Sequence, residues 1–200
     1  MKRPGPSLSA ALLASGIALA GYAFTFARTV TLVDSGELIL TSATFGVAHP
    51  PGIPLYTLLG FLFTRVPIGA VAARMACFSS LFGAAAAALV AGIVLELASA
   101  SPDPRREALR GRRKRVPEGL PPQPLPAILP AVAAGLTFAF SITLWFYASV
   151  AEVYTLNIAL VAAMWLLLLR WRREEIASPG SARAVRLLAA AAKNVRPTVT

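Results

Sequence analysis

The segment Met75–Leu97, MACFSSLFGAAAAALVAGIVLEL, decides the fold class. It is apolar almost throughout, and as a helix it would be about 35 Å long, which is enough to cross the hydrocarbon core of a bilayer. The whole chain has the same character, because 56% of its 200 residues are hydrophobic, only 14% are charged, and the mean hydropathy is +0.67. This composition argues against an ordinary soluble domain and predicts an integral membrane protein.

Three more apolar segments are predicted to span the membrane. The predicted fold is therefore an all-α polytopic membrane bundle of about four spans. The predicted spans are residues 8–27, 75–97, 127–146 and 155–170. A signal peptide is the alternative for the first segment, because Ala18–Ala20 offers a small-residue cleavage site, but the length of the segment favours a retained helix. Ile53–Val66 is apolar but short for a span, so it predicts a helix that lies on the membrane surface or dips into it.

Basic residues predict how the four spans are oriented. Lys2 and Arg3 precede the first span, Arg105–Arg115 lies in the proline-rich linker 99–125, and residues 170–173 at the end of the fourth span hold three arginines. The positive-inside rule places all three groups in the cytoplasm, and four alternating spans satisfy it. The two other connections, Arg28–Arg74 (the first) and Tyr147–Tyr154 (the second), then share the outer face. Membrane topology also explains the net charge of +10, and the basic linker lacks interleaved aromatic residues, so we expect no nucleic-acid partner.

Acidic residues occur in both outer connections. Asp34 and Glu37 would share one face of a helix, although the segment DSGE is also typical of a helix start with Asp34 or Ser35 as the N-cap residue. Glu152 belongs to the second outer connection and immediately precedes an apolar segment. An ionisable residue at the edge of a span is costly unless it is used or paired, so the three acids form a candidate site.

Other residues of the outer connections have two interpretations each. His49, the only histidine, is either a turn residue or a contact to a phosphate or sugar hydroxyl. Arg74 either reaches the interface with its charged end or binds a lipid phosphate. Tyr154 either belongs to the interfacial aromatic belt or stacks on a sugar. One histidine with two or three carboxylates could also hold a divalent metal, although their spacing matches no zinc pattern.

Four motifs together resemble a family of multi-spanning proteins of unknown function. That family is similar to the eukaryotic transmembrane protein O-mannosyltransferases and belongs with the glycosyltransferase-C superfamily. The resemblance covers roughly residues 31–170, and the combination of motifs is more specific than any one of them. In chain order the motifs are DSGELI (34–39), AHPPGIPLY (48–56), RMACFSSLFGA (74–84) and LWFYASVAEVYTLN (144–157).

The resemblance implies a glycosyltransferase-C-like fold and a reaction. Such enzymes transfer a sugar, here mannose by analogy, from a polyprenyl-phosphate carrier to a hydroxyl acceptor on the outer face. Asp34 matches the acid of the first outer loop and would be the catalytic base. Glu37 and Glu152 would orient the acceptor or bind a metal, and Arg74 and His49 would hold the carrier phosphate. The implied partners are the lipid-linked sugar donor, membrane lipids, and an acceptor protein or glycan.

The resemblance leaves two other functions and the cellular location open. Members of the family are longer, so residues 1–175 are expected to be the N-terminal part of a membrane glycosyltransferase-like domain, and 176–200 a truncated or divergent tail. A transporter subunit is one alternative, for which Glu96 is the only ionisable candidate. A non-catalytic structural membrane protein is the other. The high alanine and arginine content, with no organelle signal, predicts a bacterial plasma membrane.

Overall fold

The computed structural model describes residues 6–31, 34–50, 52–100 and 125–177. The predicted linker 99–125 and tail 176–200 therefore lie almost wholly outside the described residues. Within these ranges the chain forms seven helices and no strand, which confirms the all-α prediction. The helices are α1 (Pro6–Thr25), α2 (Ser35–Thr44), α3 (Pro54–Thr64), α4 (Val71–Ala100), α5 (Leu125–Ala139), α6 (Ile142–Ser149) and α7 (Tyr154–Ala177).

Four membrane spans can be built from these helices by length and composition. Helices α1, α4 and α7 each contain an apolar stretch long enough to cross a bilayer. Helices α5 and α6 pass the same test only as a pair, because they are bent by 64° at a short break. The third predicted span therefore differs from the expectation of one continuous helix over 127–146.

The break between α5 and α6 has a local cause. Ser141 adopts an extended conformation, which ends α5 and leaves the Ala139 carbonyl without its helical partner. The hydroxyl group of Tyr22 in α1 donates a hydrogen bond of 2.8 Å to that carbonyl. The ring of Phe140 fills the bend and would lie 2.7 Å from a Cβ atom at Gly21, so a glycine in α1 makes room for it. The sequence pattern could not show this bend, because both halves are equally apolar.

Alanines form most of the buried contacts between helices α1, α4, α5 and α6. Such small residues let membrane helices approach closely, which strengthens van der Waals packing. The order of the contacts along each helix shows that α1 and α5 run antiparallel to α4. We call this region the alanine stem; its buried residues are Ala10, Ala14, Ala18, Tyr22, Ala84, Ala87, Ala91, Ala131, Ala139 and Ala148.

The two predicted outer connections meet at one end of the stem. Residues of α2 and α3, from the first connection, pack with Ala151 of the second connection and with the first turns of α4 and α7. Their shared core is Leu38, Ile39, Tyr56, Met75, Phe78, Ala151 and Leu156. The sequence-based prediction that both connections lie at the same end is therefore confirmed, while the assignment of that end to the outer face stays a prediction.

Helix α3 is the short helix that was predicted over Ile53–Val66. Pro54 begins it, as suits a residue without a free backbone N–H. One face packs on α2 and α4, where Gly60 allows the Ser42 hydroxyl to approach, within 2.5 Å of a Cβ atom placed at that glycine. The opposite face exposes Leu55, Leu58 and Leu62, as expected of a helix that touches lipid.

An ion-pair cluster closes the other end of the bundle. Glu96 of α4 accepts hydrogen bonds from Arg170 at 3.3 Å and from Arg173 at 2.9 Å, both in α7. The charge of Glu96 is thus balanced by two arginines at the end of the helices. This pairing gives Glu96 a structural role and leaves the transporter alternative without the ionisable residue on which it depended.

Candidate functional site

The acids of the first connection gather at the start of α2. Ser35, Leu38 and Ile39 are buried on one side of this helix, so Glu37 faces outward. Asp34 occupies the N-cap position, but its side chain makes no capping hydrogen bond. The N-cap interpretation of DSGE is therefore correct for position only, and the exposed carboxylate of Asp34 remains available for chemistry.

Glu37 binds His49 twice, across the loop that follows α2. The His49 backbone N–H donates to Glu37 Oε1 at 2.6 Å, and His49 Nδ1 lies 2.7 Å from Glu37 Oε2. These hydrogen bonds lower the pKa of Glu37. The bond to Glu37 and its charge, with a smaller effect from Asp34, raise the pKa of His49. The pair thus holds the loop and extends the pH range over which the imidazole is a cation.

Asp34, Glu37 and His49 together have the donor types of a divalent metal site. One ligand atom from each lies within 4.8 Å of the others. Two carboxylates and an imidazole suit metals such as Mn²⁺ or Zn²⁺. A metal would, however, have to replace the hydrogen bond between Glu37 and His49, so the observed pairing and metal binding compete for the same atoms.

Glu152 of the second connection lies behind this group. Its backbone is held by Ser79 of α4, whose Oγ atom accepts from the Glu152 N–H and donates to the Glu152 carbonyl, both at 3.1 Å. The residue is 2% exposed, and its Oε1 atom has no hydrogen-bond partner among the described residues. Burial, and then the charge of Asp34, raise the pKa of this carboxyl. The two connections are therefore electrostatically coupled.

Buried hydroxyl groups add to the site and were not singled out from the sequence. The side-chain oxygens of Tyr56, Thr155 and Ser42 are buried and lack a partner in the part of the chain that the structure describes. Burial raises the pKa of Tyr56, and the charge of Glu152 adds to this effect. Buried polar atoms are usually paired, so unpaired ones indicate a place for water or ligand hydroxyls. In sequence, Tyr56 has only the pattern of a core residue.

We call this region the acid end: Asp34, Glu37, His49, Tyr56 and Glu152. Every one of the sequence-based catalytic candidates belongs to it. Two of the predicted binding residues have structural contacts instead, and their substrate contacts stay predictions. The guanidinium of Arg74 donates to the carbonyls of Thr64 and Gly69, the latter at 3.0 Å, and so closes the turn between α3 and α4. Tyr154 is 46% exposed, and its ring centre lies 4.4 Å from that of Tyr147.

Two proteins of known name are similar in sequence to this chain. A mouse protein named Protein O-mannosyl-transferase TMEM260 is 34% identical over 182 residues, which are 88% of this chain and 22% of the relative. A Dictyostelium discoideum protein, Protein O-mannosyl-transferase tmem260, is 40% identical over 72 residues, which are 34% of this chain and 9% of the relative. The chain thus spans about a fifth of the length of the mouse relative. No solved structure matches it.

The relatives also bear on the membrane and the family. Together with the apolar helices they support an integral membrane protein, but both are eukaryotic, so they give no support to the predicted bacterial membrane. The family described as Protein O-mannosyl-transferase TMEM260 N-terminal domain matches residues 34–192, which begin at Asp34 and include all the candidate site residues. Because this match covers most of the chain, the chain belongs to the TMEM260 N-terminal domain family.

Proposed function

We propose that the acid end is part of the active site of a membrane O-mannosyltransferase. The reaction transfers mannose from a polyprenyl-phosphate donor to a hydroxyl group of an acceptor at the outer face. The observation that carries this proposal is the carboxylate of Asp34, which makes no capping hydrogen bond and lies beside Glu37 and His49. Its negative charge also raises the pKa of the buried Glu152 in the other connection. The names of the relatives support mannose as the sugar and a protein as the acceptor.

Asp34 is the general base of the proposed reaction. It takes the proton of the acceptor hydroxyl while the oxygen forms a bond to C1 of the mannose. The bond between C1 and the phosphate oxygen breaks, and polyprenyl phosphate leaves with the electron pair. A base must reach the proton that it removes and be ionised at the working pH. Asp34 is exposed, and its side chain makes no hydrogen bond that caps α2, so the carboxylate is accessible to an acceptor hydroxyl.

The neighbouring residues support this step in different ways. His49 carries positive charge over a wider pH range because Glu37 binds it, and it would attract the phosphate of the donor. Glu152 and the hydroxyl of Tyr56 present unpaired polar atoms that would bind hydroxyl groups of the sugar or acceptor. Arg74 and Tyr154 are assigned to substrate binding by the resemblance alone. If a divalent metal binds, Asp34, Glu37 and His49 would hold it, and it would supply positive charge to the leaving phosphate.

The test is the transfer of labelled mannose from polyprenyl-phosphate mannose by the full protein in membranes. Asp34→Asn should lower the rate about 100-fold or more, because general base catalysis contributes that much. Asparagine is as good an N-cap residue as aspartate, so the helix should be kept. Glu174→Gln removes an exposed acid at the far end of α7 and serves as the control, with an unchanged rate expected. An Asp34→Asn variant with the full rate would overturn the proposal.

A further inference from the structure

The turn between α3 and α4 is bounded by two arginines and contains no acid. It comprises residues 65–70, RVPIGA, and every one of them is exposed. Arg65 is its first residue, and Arg74 of α4 closes it by donating to the carbonyls of Thr64 and Gly69. Within the described ranges of the chain, neither guanidinium group forms an ion pair with a carboxylate. The turn therefore presents positive charge that no described acid balances by contact.

The Arg65 side chain is held in place with its hydrogen-bond donors free. Its guanidinium carbon lies 4.3 Å from the centre of the Phe61 ring, one turn earlier in α3. Stacking on an aromatic ring fixes the plane of a guanidinium group and leaves the N–H groups at its edge able to donate. Among the residues that the structure describes, the Arg65 side chain donates no hydrogen bond. Its edge can therefore bind the oxygens of a phosphate, which match the geometry of a guanidinium group.

This turn lies at the depth where a bilayer has its phosphates. The apolar stretch of α4 that can cross a membrane begins at Val71, directly after the turn. Leu62, Val66 and Ile68 expose apolar side chains around Arg65, and Ile68 is 72% exposed. A phospholipid presents a phosphate next to acyl chains, and a cation next to apolar side chains matches both parts. The turn can therefore contact a lipid headgroup and the start of the acyl chains together.

The turn is separate from the acid end. The ring of Phe61 contacts that of Phe45 at the end of α2, with 5.0 Å between the ring centres. His49 instead bonds to Glu37, which lies in the first turn of α2. Because Arg65 follows Phe61 in α3, it lies at the opposite end of α2 from His49. A ligand that Arg65 binds is therefore not held at the proposed reaction centre.

We propose that the turn 65–70 binds an anionic phospholipid of the bilayer, with Arg65 on its phosphate. Arg74 adds a second positive charge, so a headgroup with a net negative charge is favoured over a zwitterionic one. The exposed apolar side chains around Arg65 contact the acyl chains. Because the turn joins the short helix α3 to the spanning helix α4, the bound lipid anchors the first connection to the bilayer. This role goes beyond the proposed sugar transfer and does not depend on it.

Photo-cross-linking with site mapping tests the proposal. The full 200-residue chain is placed in phosphatidylcholine nanodiscs that contain a small fraction of phosphatidylglycerol with a diazirine at the start of one acyl chain. Chymotrypsin then releases residues 64–78, a fragment with no internal aromatic residue or leucine. This probe should label the fragment about fivefold more than a diazirine phosphatidylcholine does, because one cation near an anionic headgroup contributes about that factor. Equal labelling by both probes would overturn the proposal, since the turn would then contact bulk lipid only.

Charge variants identify the residue responsible. Arg65→Gln should reduce the labelling of the fragment by the phosphatidylglycerol probe to the level of the phosphatidylcholine probe. Arg65→Lys keeps the charge and should retain most of the excess. The matched control is Arg28→Gln, which removes an exposed arginine just after α1, at the same end of the bundle, and should leave the labelling unchanged. An equal loss in Arg65→Gln and Arg28→Gln would contradict the proposal, because the labelling would then follow the net charge alone.

Competition identifies the class of lipid. Unlabelled phosphatidylglycerol should displace the probe from the fragment, and farnesyl phosphate, an isoprenyl phosphate like the proposed donor, should do so no better. Displacement by farnesyl phosphate at a lower concentration would overturn the proposal, because the turn would then prefer the donor lipid. Neither result changes the proposed function, which the transfer assay of Asp34→Asn tests separately.

Discussion

The alanine stem and the acid end are built by opposite rules. In the stem, small residues of four helices touch with little space between them, and the Tyr22 hydroxyl pairs with the carbonyl freed by the bend. At the acid end, the Oε1 atom of Glu152 and the hydroxyl oxygen of Tyr56 are buried without partners among the described residues. Each unpaired buried group costs stability. The comparison teaches that the stem is optimised for packing, whereas the acid end keeps polar atoms free for a ligand.

The largest effect that we predict is a loss of stability from the smallest change in the stem. A Cβ atom at Gly135 of α5 would lie 2.7 Å from the Ala87 carbonyl oxygen and 3.1 Å from the Ala14 Cβ atom. Because backbone and Cβ atoms cannot move aside cheaply, Gly135→Ala should lower the free energy of unfolding by about 1–3 kcal/mol. The measurement is the midpoint of thermal unfolding of the chain in nanodiscs.

The control for this prediction is another helical glycine, outside the tight contacts. A Cβ atom at Gly16 of α1 would have no neighbour within 4 Å. Gly16→Ala should therefore leave the midpoint unchanged or raise it. The higher helix propensity of alanine adds up to about 1 kcal/mol to the free energy of unfolding. If both variants change the midpoint in the same direction and by the same amount, the stem is not as closely packed as described.

A smaller effect is predicted for the acid end, in the titration of His49. Because the chain has a single histidine, its NMR signals need no assignment. Glu37→Gln removes the negative charge and leaves only a neutral acceptor for the imidazole, so the pKa of His49 should fall toward the ordinary value of 6.5. Glu174→Gln should leave it unchanged. The same titration midpoint in the Glu37→Gln variant as in the original chain would show that the pair does not form.

The sign of the linkage sets the pH range in which the pair stabilises the loop. The raised pKa of His49 means that its contribution is complete below about 6.5 and is lost as the pH rises through the raised value. The lowered pKa of Glu37 means that its contribution is complete above about 4.5 and is lost as the pH falls through the lowered value. The Glu37–His49 pair should therefore stabilise the loop most between about pH 4.5 and pH 6.5, where both contributions are complete.

Sequence patterns predicted the spans and the placement of the acids well. Length and apolar content alone specify α1, α4 and α7, because a helix must cover the bilayer to satisfy its backbone. The basic residues near the N-terminus, in the linker and at the end of the fourth span then required the two connections with Asp34 and Glu152 to share an end, and the packing confirms it. The short helix α3 followed from an apolar segment too short to cross.

The details of the site could not be predicted in the same way. Glu37 and His49 are 12 positions apart, and they meet because the loop after α2 folds back along the helix, which no local pattern predicts. Tyr56 looks like any core residue until the structure shows that its hydroxyl has no partner. Phe45, the residue after the end of α2, adopts a left-handed conformation with φ 56°. The sequence gives no signal of it, since glycine would be expected there. These features depend on contacts between segments and not on local periodicity.

The most direct test of the account is the titration of Glu152 in the chain with and without Asp34. Infrared difference spectra between the original chain and Glu152→Gln identify the carboxyl band of this residue, and its midpoint is then followed with pH. If the two connections form one site, Asp34→Asn removes a neighbouring negative charge, and the pKa of Glu152 should fall. An unchanged midpoint would mean that Asp34 and Glu152 do not share a site, and would contradict the account.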